Sequence, residues 1–488
     1  MTGHASVRRS LASGVVGALL AGSALAAVPG GAVLQAVVAY DGAPRDVAGV
    51  PGVKVVATLP ALQMAVVRGD ADALARLART PGVRGLAPDD AVQLTSRDDD
   101  DENNKGNKNN KGNKDNGNGA VLASAGLGGG AGQRGAGAGT RIALVDTGVS
   151  DTAALNRASG RLVDAVDASK VADGKPVETG GTYTDGYGHG TFMGGIIAGG
   201  VTKGTGGKAL GVAPGATVLV VRVAKKDGTT SLSRVLGGLD WVAAHPDQVD
   251  VANLSLSHTR PGKGYGADPL TDAVDKVRAA GVTVVVSAGN TKDIVGDPGF
   301  DPLVLTVGAA DLDRRRVAPF SGSAVVAGVQ KPDVVASGVD VLGVLPSDSV
   351  LAKAKGTTHL GHGLYRGSGT SQSAAVVSGL AALFLAANPA ATPVQVKASL
   401  RCAADDLKGK KDGAGLVRST TTVCAGEDGM ALDGSGDATG ESSFDASSWA
   451  ASSWAASSWA ASSWAASSWA ASSWAASSWG TSARGKTS

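Results

Sequence analysis

Two cysteines, Cys402 and Cys424, are all that 488 residues contain. That excludes a disulfide-framed mini-domain, and with no CxxC pair it excludes the usual zinc and thiol-redox motifs. An excess of either charge sign is missing too: 45 Lys+Arg stand against 43 Asp+Glu, a net +2. A nucleic-acid binder would carry a basic domain, so no nucleic-acid partner is expected. Proline is scarce for the 72 glycines, 18 in all, and no Gly-X-Y period occurs, which removes collagen. Past the first thirty residues no apolar run reaches the eighteen or so needed to span a bilayer, so a soluble mature protein is expected. Hydrophobic residues make up 43% of the chain, enough for a true core.

The amino end carries Arg8 and Arg9, an apolar run over 11–20, and Ala24-Leu25-Ala26. Charge, short apolar run and small-residue cleavage pattern together read as a secretory signal peptide over 1–26. Arg8-Arg9 ahead of Leu11 also carries a faint twin-arginine character. Export implies a secreted or extracellular location and makes a Cys402–Cys424 disulfide plausible, since oxidising compartments preserve such bonds.

Residues 28–95 read as a small α+β module, with strands at 33–39, 53–59 and 64–67 and a helix at 70–79. Residues 98–119 hold no apolar side chain in twenty-two positions, so they read as a solvated linker. The acidic run lacks the carboxylate spacing of an EF-hand.

From 120 to 425 short apolar runs alternate with helical stretches. The runs fall at 142–145, 218–223, 249–256, 282–286 and 303–307, the helices at 231–244, 269–280 and 372–387. This pattern predicts an α/β fold with a mainly parallel, doubly wound sheet. Ligand sites in such sheets gather at the carboxyl ends of strands. The first run ends in Asp146-Thr147-Gly148. An aspartic protease would need a second such carboxylate, and no second Asp-Thr/Ser-Gly exists. His189 stands among glycines at the start of an apolar helix, Asn290 follows the fourth run, and Ser371 opens another apolar helix. A lone His is more often structural, an Asn after Gly a turn residue, and a Ser at a helix start a cap. In the sharper reading Ser371 is a nucleophile whose own N–H helps hold an oxyanion.

All six histidines precede Ser371, and Ser373 stands where a nucleophile elbow needs Gly. An α/β-hydrolase is therefore out, and the order Asp146…His189…Ser371 is the order found in subtilisin. With it come IALVDTG (142–148), GHGTFMGGII (188–197), GVAPG (211–215), NLSLS (253–257), SAGN (287–290), KPD (331–333), GTS (369–371) and GAGL (413–416). On these segments the middle domain resembles the subtilisin-like serine proteases (subtilases, peptidase S8).

The resemblance implies a secreted serine endopeptidase acting through an acyl-enzyme. Asp146 would orient His189, His189 would serve as base and then acid, and Ser371 would attack the scissile carbonyl. Asn290 and the Ser371 N–H would form the oxyanion hole. Leu254, Ser255, Leu256 and Ser257, with Ser287, Ala288 and Gly289, would flank a polypeptide substrate as extended strands. The 28–95 module resembles the family's inhibitory propeptide, so the chain's own propeptide is an expected partner and self-processing an expected step. No cofactor is required. Calcium is permitted by the resemblance, with no metal ligands identified, and a monomer is expected.

Three departures stand out. Phe192 replaces the family's usual second His, Gln372-Ser373-Ala374-Ala375 replaces Met-Ala-x-Pro, and Ser257 replaces a Gly, which narrows the primary specificity pocket. Beyond 426 the chain turns into an Ala-Ser-Ser-Trp repeat of period five carrying seven tryptophans. In a helix five residues advance the direction by about 500°, so the indoles form no stripe. A flexible tail is the plain reading. The sharper one is a multivalent sticker for cell-envelope polymer, which would make the whole chain a surface-binding protein if the catalytic domain were weak or inactive.

Overall fold

In the amino-terminal module, strands β1 (Leu34–Tyr40), β2 (Lys54–Leu59), β3 (Met64–Gly69) and β4 (Val83–Pro88) pair antiparallel in the order β2-β3-β1-β4. Helix α1 (Ala71–Leu77) is capped by Asp70, whose carboxylate accepts the Ala73 N–H at 2.7 Å. The computed structural model describes residues 32–42, 47–94, 118–127, 135–258, 268–326, 329–354, 357–409 and 411–424. The expected leader, most of the 98–119 segment and the repeat tail lie outside the described residues.

The strand period of two explains how this sheet is buried on both faces. Ala36, Val38 and Tyr40 point toward Leu74 and Leu77 and form a private core. Val37, Ala39, Met64 and Val66 point the other way, into a core shared with residues 232–242 and 270–277 of the large domain. The module is therefore not the self-contained unit that its sequence suggests. Two further strands were not anticipated: β4, past the Pro81-Gly82 turn, and β5 (Ala91–Leu94).

The large domain is built on an eight-stranded sheet. Its strands are β6 (Arg141–Asp146), β7 (Leu162–Asp167), β8 (Thr217–Arg222), β10 (Val251–Leu254), β12 (Thr283–Ser287), β13 (Leu305–Asp311), β14 (Arg316–Val317) and β17 (Val334–Ser337). The order is β7-β8-β6-β10-β12-β13, with β17 and β14 both on β13. Every pairing is parallel except β13–β14. The winding turns back beside β6, between β8 and β10, which is where such sheets form a crevice. The expected doubly wound α/β architecture is thus present.

The helices are α2 (Gly119–Ser124), α3 (His189–Ala198), α4 (Leu232–Ala244), α5 (Pro269–Ala279), α6 (Val350–Lys353), α7 (Thr370–Ala387) and α8 (Pro393–Cys402). Helices α3, α7 and α8 cover one face of the sheet, and α4 and α5 the other. Helix α7 is long and apolar enough to cross a membrane, but it lies buried in the core. Outside the main sheet are β9 (Thr230–Ser231), β11 (Leu256–Ser257), the pair β15 (Ala324–Val326) and β16 (Val329–Lys331), and the sheet of β18 (Val341–Val344), β20 (Leu364–Gly367) and β19 (Thr358–Gly361).

Two boundaries move relative to the sequence reading. The run expected as one strand over 249–256 divides at Ser255, because β10 belongs to the central sheet whereas β11 pairs outside it. The linker expected to end at 119 gives way earlier. Asn118 is buried, its amide donates to the carbonyls of Leu210 and Leu342, and its oxygen accepts the Leu342 N–H. Among the described residues, Asn118 already belongs to the large domain. At its other end Cys402 and Cys424 are disulfide-bonded, with Cα atoms 6.7 Å apart.

Candidate active site

Asp146 is the last residue of β6, on the strand beside which the winding turns back. His189 is the first residue of α3. Both are buried. The His189 Nδ1 lies 2.8 Å from Asp146 Oδ1 and 2.9 Å from Oδ2, and Asp146 Oδ1 also accepts the Thr147 N–H at 2.7 Å. This contact puts the ring proton on Nδ1 and leaves Nε2 as the basic nitrogen. No hydrogen-bond partner meets Nε2 among the described residues. A Cβ at Gly190 would sit 2.2 Å from the Gly148 carbonyl, so only glycine lets helix α3 approach the loop after Asp146 this closely.

Ser371 is the second residue of α7, which Gly369 precedes as cap. Its hydroxyl donates to the Ser255 carbonyl at 3.2 Å, and the Ser255 hydroxyl returns a bond to the Ser371 carbonyl at 3.2 Å. Asn290 is oriented by Thr370: its Oδ1 accepts both the Thr370 N–H at 2.9 Å and the Thr370 hydroxyl at 3.0 Å. With the oxygen held there, the amide NH2 faces away from Thr370. Ala375 stands buried in an unbroken α7, and the Phe192 ring packs where a Cβ on Gly343 would come within 2.6 Å of it.

Strand β5 lies between β9 and β11, antiparallel to both, with Leu94 opposite Leu256, Gln93 opposite Ser257, Val92 opposite Thr230 and Ala91 opposite Ser231. Of the residues expected to flank a substrate, Leu256 and Ser257 carry this pairing. Leu254 does not, because it pairs with Val286 inside the central sheet. Ser287, Ala288 and Gly289 have their backbone engaged elsewhere. Ser287 pairs with Val307, Ala288 N–H donates to the Val307 carbonyl, and the Gly289 carbonyl accepts the Gly322 N–H. The second neighbour of β5 is Thr230–Ser231, which sequence reasoning missed; the preceding Asp227-Gly228 turn was its only signal.

The module is held by polar contacts as well. Asp89 accepts the Ser233 N–H and hydroxyl, each at 2.7 Å, in the first turn of α4. Asp240 accepts the Leu62 N–H at 3.0 Å, and burial pushes its carboxyl up to about 6 against the lowering effect of the Leu62 and Ala61 N–H groups. Ser257 packs against Gly296, where an added Cβ would meet the Ser257 Cβ at 2.7 Å. Among the described residues no group of three or more His, Cys, Asp or Glu is arranged to hold a metal ion, so nothing here assigns calcium a site.

The sequence profile of the Subtilase family, peptidase S8, matches residues 137–419, a span that includes Asp146, His189, Asn290 and Ser371. The chain belongs to the subtilase family. It is a serine-type endopeptidase by that membership. The serine protease AprX of Bacillus subtilis (strain 168) is 31% identical over 311 residues, covering 60% of this chain and 68% of that protein. Subtilisin DY of Bacillus licheniformis is 31% identical over 277 residues, 56% of this chain and 85% of its own. Among solved structures, fervidolysin from Fervidobacterium pennivorans, described as a keratinolytic enzyme related to subtilisin, superposes with a TM-score of 0.61. That match covers 79% of this subtilase and 60% of fervidolysin at 24% identity, and it shows a shared fold.

Proposed function

We propose that this subtilase is an exported endopeptidase precursor that cuts peptide bonds through Asp146, His189 and Ser371 and removes its own amino-terminal module. The observation that carries the reading is the buried, two-oxygen contact between Asp146 and His189 Nδ1, which leaves Nε2 as the base. In the reaction the Ser371 hydroxyl turns from the Ser255 carbonyl toward Nε2. Its O–H proton passes to Nε2 as Oγ bonds to the substrate carbonyl carbon. The oxyanion so formed accepts hydrogen bonds from the Asn290 NH2 and the Ser371 N–H. Nε2 then returns the proton to the leaving amine as the C–N bond breaks. Water, activated by the same nitrogen, releases the acyl group.

Polypeptide substrates would lie where β5 lies now, as an added strand between β9 and β11. That occupancy supports a latent precursor, since the same edges cannot bind β5 and substrate together. Ser257, pressed toward Gly296, favours small side chains in the primary pocket. The leader at 1–26 and the disulfide support export. The alternative, a weak or inactive subtilase that acts by surface binding through its tryptophan tail, finds less support while the Asp146–His189 contact is formed. A fluorophosphonate probe tests the choice: after removal of the module, label should map to Ser371 by peptide sequencing. No label, in enzyme shown to be freed of the module, would favour the surface-binding reading.

A further inference from the structure

We propose that Asp185 is a positioning residue for the Asp146–His189 pair, fastening the loop after Asp146 to the first turn of the helix that carries His189. This role presupposes the triad proposed above. Asp185 is 2% exposed and faces donors only. Its Oδ1 accepts the Thr147 hydroxyl at 2.8 Å, the Tyr187 N–H at 3.1 Å and the Gly188 N–H at 2.7 Å. Its Oδ2 accepts the N–H and the hydroxyl of Thr191, each at 2.8 Å. Five donors converge on its two oxygens, an arrangement that suits the carboxylate, while burial pushes its pKa up.

Each bond reaches one side of the pair. Helix α3 starts at His189, and its cap, Gly188, has no side chain to meet the orphan N–H groups of the first turn. Asp185 does so from four residues before His189, and its negative charge suits that end of the helix. On the other side Thr147 follows Asp146 directly. Its hydroxyl donates to Asp185 and accepts the Gly190 N–H at 2.9 Å. Thr191, also held by Asp185, accepts the Ser150 N–H at 3.1 Å. The residues on both sides of His189, Gly188 and Gly190, are therefore tied to the same carboxylate, one directly and one through Thr147. None of these side-chain hydrogen bonds goes to β9 or β11, so the loss is expected in kcat rather than in KM.

An amide cannot replace this carboxylate. Asn would keep the three bonds to one oxygen, but its NH2 would face the Thr191 N–H, donor against donor. The imidazole would then be free to drift from Asp146, and small misplacements of reacting groups cost about 10²-fold in rate. In the full-length, processed enzyme, Asp185→Asn should lower kcat by about 10–100-fold with KM within about twofold, and fluorophosphonate labelling of Ser371 should slow in parallel. Thr147→Val, which removes only the bridging hydroxyl, should show the same split. The double variant should be little worse than either single one, because the two act through one connection. Kinetic constants of D185N within threefold of wild type, a matched change in kcat and KM, or simple additivity would each overturn the proposal. If D185N does not mature, T147V alone decides it by the same split. Ser371→Ala run alongside separates the two levels: an active S371A would refute the triad, whereas an inactive S371A beside a fully active D185N refutes only the positioning role.

Discussion

Removing the Asn290 side chain should damage catalysis and the local fold by separable amounts. The amide does two jobs through opposite ends. Its oxygen binds the Thr370 N–H and hydroxyl, and its NH2 is the proposed oxyanion donor. Asn290→Ala loses both. Loss of the donor should cost about 10²–10³ in kcat, or about 2.7–4 kcal/mol of transition-state stabilisation, the loss recorded for an oxyanion donor in subtilisin. Loss of the acceptor strands the fully buried Thr370 and should cost about 1–3 kcal/mol of stability. Asn290→Asp separates the two, since a carboxylate still accepts from Thr370 but offers no donor. N290D should therefore unfold near the wild-type denaturant midpoint yet lose at least as much kcat as N290A. KM should barely change in either variant, because the oxyanion exists only in the transition state. Steady-state kinetics on a soluble peptide with urea unfolding reads both. A kcat for N290D within threefold of wild type would refute the role given to the NH2 group.

Asp333→Ala should cost about 3–5 kcal/mol in urea unfolding, because it leaves the fully buried Lys331 ammonium, 2.9 Å away, without its counter-charge. Burial alone would raise Asp333, but Lys331 and Lys397 hold it down to about 2, so its stabilising effect is present above the ordinary carboxyl value near 4 and is lost as pH falls through about 2. Asp240, pushed up to about 6 with the module docked, works in the opposite sense. Docking takes up a proton, so retention of the cleaved module should be strongest below pH 4 and weaken as pH rises through about 6; gel filtration at pH 5 and pH 8 reads this, and equal retention would contradict it. Deleting 446–488 should leave soluble-peptide cleavage unchanged and release the enzyme from the cell envelope; unchanged fractionation would leave only a plain tail.

The central α/β fold was legible because five of its parallel strands are short apolar runs ended by a polar or small residue, as at Asp146 and Ser287, whereas β7, broken by Asp164, and the four-residue β17 were not read as strands. The candidate triad was legible because each member sits in a short motif beside glycines or at a helix start. What stayed hidden is what depends on pairing at a distance. Nothing in the local pattern of 91–94 shows that it adds to Leu256–Ser257, and Thr230–Ser231 is too short for strand periodicity to register. Ser255 was read as part of one continuous strand, whereas it marks the point where the chain leaves the central sheet. The docked face of the module escaped notice for a similar reason. Its alternating apolar residues fit a two-faced sheet, but only the fold shows that the second face belongs to the large domain. Asp185 stood in view before His189 without a role, because five donors converge on it only once helix α3 and the loop after Asp146 meet.

The claim on which the rest depends is that Ser371 is the nucleophile, both for substrate and for the chain's own maturation. Ser371→Ala, expressed in a protease-free host, should show no peptide hydrolysis above the uncatalysed background. It should also run as the uncut precursor, with β5 still in the cleft, whereas wild type should show a new amino terminus in the segment that follows Leu94. An S371A protein that hydrolyses peptide would contradict the account at its centre, and one that is inactive yet processed like wild type would remove self-maturation from it.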